Sequence, residues 1–142
     1  MRSFLLSVTP LVVALGVVGA ATAAFAVQDT PFTSNGVTAV CTGVGSAKDN
    51  PEWASYPVKI VLANNAGENL AAAHFRVSHN GQTVLETDCD APWLLIRAPA
   101  GSYTATATVG EGSKSTNFSG GAGKQKELTL MFPGGRRQAS AQ

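Results

Sequence analysis

The sequence predicts an all-β protein, folded as an antiparallel Greek-key β-sandwich of about seven to eight strands. Three observations support this. Short runs rich in Val, Ile, Leu, Tyr, Phe and Thr recur from residue 37 to residue 132, separated by clusters of Gly, Pro, Asn and Asp. Several of these runs alternate apolar and polar residues one by one, as a strand does when only one of its faces meets a core. No segment sustains the 3.6-residue apolar spacing of a long helix. Strands without helices are stable when two sheets bury their apolar faces against each other. A closed barrel satisfies the same alternation and is the alternative.

Residues 1–26 come first and read as a signal peptide. Arg2 gives a positive start, Phe4 through Val18 is an apolar run, and the small residues Ala24 and Ala26 suit cleavage after Ala26. The alternative is a retained anchor, because the run approaches the ~20 apolar residues that span a bilayer. Pro10, Gly16, Gly19 and the Ala-rich end favour removal. Export of this kind implies a periplasmic or extracellular location, with no membrane association after cleavage.

Removal takes away Arg2 and leaves a chain of 116 residues with nine Lys/Arg against nine Asp/Glu. That length suits one domain. A formally neutral chain with scattered charges lacks the basic clustering that nucleic-acid binding requires. Its one basic pair, Arg136-Arg137, lies in a Gly-rich and polar tail.

Residues 27–35 read as a polar lead-in, 36–133 as the sandwich domain and 134–142 as a disordered tail. Val37–Cys41 is the first strand, and Gly43-Val44-Gly45 breaks it. In Asp49-Asn50-Pro51-Glu52-Trp53, Asn50 can cap and Pro51 is pre-set for the first position of one helical turn. Val58–Ala63 is the most apolar strand, expected at the centre of a sheet, and Asn64–Gly67 carries turn chemistry.

His74–His79 and Gln82–Thr87 flank Asn80-Gly81, the pair favoured in two-residue hairpins because a type I′ turn needs positive φ at both central positions. Trp93–Ile96 follows the break at Asp90-Ala91-Pro92. In Ser102–Val109, Tyr103, Ala105, Ala107 and Val109 face one way and the threonines the other. Strands around Lys114–Phe118 and at Leu128–Phe132 complete the set.

The segment Trp93-Leu94-Leu95-Ile96-Arg97-Ala98-Pro99-Ala100-Gly101-Ser102-Tyr103-Thr104-Ala105-Thr106-Ala107 resembles the most distinctive stretch of carboxypeptidase regulatory-like domains. In that family an apolar strand enters Leu-Pro-x-Gly-x-Tyr. Pro99, Gly101 and Tyr103 match, while Ala98 stands for the Leu. The resemblance extends over residues 36–132 and is nearest to small exported bacterial proteins with Asn-Gly-Val near the mature start and Gly-Pro-Trp before the motif. Here those are Asn35-Gly36-Val37 and Ala91-Pro92-Trp93. It implies a transthyretin-like (prealbumin-like) Greek-key sandwich and says little about function. The motif itself is turn chemistry and core packing: Pro99 sets the turn, Gly101 can take positive φ, and Tyr103 can bury its ring with its hydroxyl bonded at the sheet corner.

Residues with chemical potential are few. Cys41 and Cys89 are the two cysteines, 48 positions apart. In an oxidising compartment an even pair forms one disulfide, and in a reducing one two buried thiols. His74 and His79 are five residues apart on one strand and so point to opposite faces, which prevents joint metal chelation.

Glu86, Asp88 and Asp90 recur every second residue, a charged solvent face or a fragment of a calcium shell that would need six to eight oxygens. No Gly-x-Ser-x-Gly elbow is present, and Asn117-Phe118-Ser119 fits a glycosylation sequon. The hydroxyisourate hydrolases share this kind of sandwich but end in Tyr-Arg-Gly-Ser; this chain ends Arg136-Arg137-Gln138-Ala139-Ser140-Ala141-Gln142.

The expected function is therefore that of a non-enzymatic exported module, monomeric and without cofactor or metal. Its partner would be a protein of the cell envelope. The alternative is a glycan or small ligand stacked on Trp53 and Tyr56, in the loop before the central strand.

Overall fold

A computed structural model describes residues 24–25 and 27–133. Most of the signal-peptide segment, residue 26 and the tail 134–142 lie outside the described residues, so the signal-peptide and disordered-tail expectations do too.

Ten strands occur among the described residues, and no α-helix: β1 (Ala24–Phe25), β2 (Phe32–Ser34), β3 (Val37–Thr42), β4 (Val58–Asn64), β5 (Ala73–His79), β6 (Gln82–Cys89), β7 (Trp93–Arg97), β8 (Gly101–Val109), β9 (Gly112–Gly120) and β10 (Lys126–Phe132). They form two five-stranded sheets, ordered β1-β6-β5-β8-β9 and β10-β4-β7-β3-β2. The two sheets enclose one main core, as a sandwich requires. Phe75, Val77, Leu85, Ala105 and Ala107 fill it from the first sheet, and Ile60, Leu62, Leu94, Ile96 and Ala39 from the second. Each large apolar side chain buried there contributes about 1.5–3 kcal/mol.

The eight strands β3–β10 coincide with the eight apolar runs, and three details differ from expectation. Phe32–Ser34, within the supposed lead-in, is an edge strand antiparallel to β3, with Phe32 opposite Ala39. Its turn is Asn35-Gly36, with φ of 49° and 79°, the same hairpin chemistry as Asn80-Gly81 at 52° and 75°. The sandwich is also not wholly antiparallel, since β10 runs parallel to β4 from Lys126 opposite Val58 to Phe132 opposite Asn64. The physical reason is connectivity: residues 121–125 carry the chain from β9 of one sheet to the other, and the Lys126 N–H donates to the Pro57 carbonyl at 2.8 Å beside the start of β4. Finally, β7 takes the middle of its sheet and β4 the place beside it. β1 adds a second parallel pair, two residues long, along Thr87 and Asp88 of β6.

Cys41 of β3 and Cys89 of β6 are disulfide-bonded with Cα atoms 5.8 Å apart, which links one sheet to the other through the core. The Pro99–Gly101 turn behaves as the motif predicts. Tyr103 is buried, its hydroxyl donates to the Pro99 carbonyl at 3.0 Å, and its ring stacks between Phe118 and His79. Gly120 closes the far side, where a Cβ would collide with the Pro99 carbonyl oxygen and come within 2.8 Å of the Tyr103 ring.

The β5–β6 hairpin contains a bulge. Pairing is regular at His79–Gln82 and Ser78–Thr83, then resumes at Val77–Leu85, which leaves Val84 as the extra residue. The Val84 carbonyl accepts from Ser34 Oγ at 2.9 Å and Asn35 Nδ2 at 2.8 Å, so the β2–β3 turn is held against the other sheet.

Candidate functional site

The chain between β3 and β4 lies across the outer face of the second sheet as two 3-10 turns, Gly45–Asp49 and Pro51–Ser55. Asn50 caps the second, accepting from the Glu52 N–H at 3.0 Å, with Pro51 following it as expected. Trp53 and Tyr56 pack from this excursion onto Val40 and Leu95 to make a small second core. Trp53 is 6% exposed and Tyr56 1%. The Trp53 indole N–H donates to the Ala47 carbonyl at 2.8 Å, and Gln125 Nε2 donates to the carbonyls of both Trp53 and Tyr56. The structure thus brings the two aromatic residues together as core. Neither ring presents a face on which a sugar could stack.

Two clefts flank this excursion. One, of about 280 Å³, is lined by Trp53, Trp93, Lys48, Lys59 and Gln125. Lys59 Nζ lies 3.5 Å from the Trp93 ring centroid and 3.5 Å from Glu127, which occupies the half-buried indole face with a cation. The other cleft, of about 340 Å³, lies at the end of β7 and is lined by Ser55, Pro57, Arg97, Ala98 and the loop Gly121–Gly123. The Arg97 guanidinium stands over the Tyr56 ring at 4.4 Å. Burial pushes the Tyr56 hydroxyl above its ordinary pKa, Arg97 opposes that rise and Glu52 adds to it. Arg97 has no counterpart among the expected site residues. Its outward position follows from the alternation of β7, but its cleft is made by a loop some 25 residues later.

On the outer face of the first sheet, His74 of β5 pairs across to two carboxylates of β6. Its Nδ1 and Nε2 are each 2.7 Å from a carboxylate oxygen, of Asp88 and Glu86 respectively. An ionised carboxylate only accepts, so this geometry is satisfied at both ring nitrogens when the ring is protonated, and it favours the imidazolium. The bonds to Asp88 and then Glu86 raise the His74 pKa above 6.5, against a smaller opposing effect of burial. Glu86 is held below its usual range by His74 and by Arg76, whose Nη2 donates to it at 3.1 Å.

His79 is on the other face, as the spacing requires, where Nδ1 donates to the Ser102 carbonyl and the ring covers Tyr103. Asp90 lies beyond the end of β6, beside an open cleft shared with His74 and Asp88. Among the described residues no group of three or more His, Cys, Asp and Glu side chains is arranged to hold a metal ion.

The remaining feature is an edge. β9 pairs with β8 in unbroken register from Gly101–Gly120 to Val109–Gly112, and it is the last strand of its sheet. Its outward residues bond back to β8, Asn117 to Thr104 and Ser115 to Thr106. Lys114, opposite Ala107, is its one charged residue and is exposed. No helix among the described residues is long and apolar enough to cross a membrane. No protein-family model matches the chain and no curated protein is similar to it in sequence.

Proposed function

We propose that this chain is a non-enzymatic, monomeric protein-interaction module, exported to the periplasm or cell exterior and acting there as an accessory of the envelope. The β9 edge is the observation that carries this reading. An exposed strand with nine residues in register offers a row of backbone donors and acceptors to an extended segment of another protein. Such edges invite indiscriminate pairing unless a charge guards them. Lys114 supplies that charge, and it also selects: a segment with a carboxylate opposite Lys114 gains a favourable cross-strand pair, whereas a basic one is repelled.

Export is supported by the Cys41–Cys89 disulfide, which suits an oxidising compartment, and by the signal-like residues 1–26. A sugar-binding role on Trp53 and Tyr56 lacks support, since both rings are buried.

The test uses extended nine-residue peptides with a central Glu or a central Lys. Glu-centred peptides should protect the β9 amides from hydrogen exchange in the wild type and lose this effect in Lys114→Glu, with Lys-centred peptides showing the reverse. Equal behaviour of both peptides towards both proteins refutes the proposed edge.

A further inference from the structure

We propose that the cleft beside Arg97 binds a carboxylate carried on a short aliphatic group. This site is separate from the β9 edge and stands or falls independently of it.

Arg97 is held in place before any ligand arrives. Its Nη2 donates to Ser55 Oγ at 2.8 Å and, at 3.4 Å, to the Ser55 carbonyl. Its guanidinium plane rests over the ring of a tyrosine that is 1% exposed. These contacts use one nitrogen and one face. Nε and Nη1 have no acceptor among the described residues, and no carboxylate there lies within ion-pair distance of Arg97. By contrast, Lys59 is paired with Glu127 and Arg76 with Glu86. These contacts restrain an exposed guanidinium that keeps donors to spare, which reduces the side-chain freedom that binding would otherwise cost.

The rest of the lining sets the ligand class. It consists of Pro57, Ala98 and the loop Gly121-Ala122-Gly123, small groups that leave a cleft of about 340 Å³. The loop is pinned where the Gly121 N–H donates to the Ala98 carbonyl at 2.9 Å. That volume is near the lower end of the ~300–1,000 Å³ typical of small-ligand sites. A planar carboxylate matches the fork of a guanidinium with two parallel hydrogen bonds, and an aliphatic chain of a few carbons matches the apolar wall. Both a free short-chain acid and the C-terminus of a peptide carry this chemistry.

The experiment is a titration of the folded protein followed by amide and Arg side-chain NMR shifts. The probes are sodium butyrate, acetyl-Ala-Ala, its C-terminal amide and inorganic phosphate. Saturable shifts at Arg97 and Gly121–Gly123 are expected with butyrate, acetyl-Ala-Ala or both, at dissociation constants of about 1 mM or tighter. Saturation by acetyl-Ala-Ala alone assigns the site to chain ends, and by butyrate alone to free acids. Arg97→Lys keeps the charge but loses the fork, and should weaken binding about tenfold or more. Arg76→Lys, on the other sheet, should leave it unchanged. The proposal is overturned if nothing saturates by ~10 mM, if the amide binds as well as the acid, if phosphate alone binds, or if correctly folded Arg97→Lys binds like the wild type.

Discussion

The Tyr103 hydroxyl reaches the Pro99 carbonyl across the turn that precedes its own strand, while its ring stacks on Phe118 at 5.3 Å. The ring alone supplies the apolar burial, so the hydroxyl's share can be measured separately. Tyr103→Phe keeps the packing and removes one hydrogen bond, and should lower the free energy of unfolding by about 1 kcal/mol. A urea transition with an earlier midpoint and unchanged slope is the expected readout. The role of the hydroxyl was legible from Pro99-Ala100-Gly101-Ser102-Tyr103, because its acceptor lies four positions away, whereas the ring's partners Phe118 and His79 are distant in sequence. Arg97 is the opposite case. One wall of its cleft is residues 121–123, and nothing local to β7 announces them.

Within elements, the β5–β6 hairpin shows both what is readable and where reading stops. Asn80-Gly81 fixes a two-residue turn, and regular pairing from it would set Arg76 opposite Leu85. That pairing places an exposed cation and a core residue on one face. Alternation in both strands is satisfied only if one residue is skipped, and Val84 is the one left over. The skip puts His74 opposite Asp88 and Arg76 opposite Glu86, which creates the charged cluster. Asn35-Gly36 carried the same turn signal, but the three-residue strand before it is too short to show an alternation.

The cluster has a defined pH signature. His74 is raised, so its stabilisation is complete below pH 6.5 and is lost as pH rises through the raised value. Glu86 is lowered, so its stabilisation is complete above pH 4.5 and is lost as pH falls through the lowered value. The two overlap fully between these limits. Melting curves of the wild type and His74→Gln should differ most inside that window and converge on its alkaline side.

At the scale of the whole molecule, the disulfide joins sheets that otherwise meet through side-chain packing and a few edge hydrogen bonds. Its cysteines are 48 positions apart, and closing a loop of that length restricts the unfolded chain by about 4 kcal/mol in the chain-entropy treatment. Replacing Cys41 and Cys89 together by alanine should lower stability by about 3–4 kcal/mol, read from denaturant midpoints. Wild-type protein treated with a reductant should move towards the same midpoint. Two-sheet architecture was legible from eight short runs and their turns. The order of strands within each sheet was not, because alternation records which way a side chain faces and not which strand lies beside it.

The parallel pairing of β10 with β4 also sets a timetable. Lys126 meets Val58 across 68 intervening steps of chain, and no hairpin brings them together in advance. Contacts so distant in sequence form late and slowly. While the chain is being made, β4 has no neighbour on that side until nearly the last described residue exists. A polypeptide that cannot complete one of its two sheets until β10 has been made leaves one edge of β4 open throughout the interval in which residues 65–125 are added.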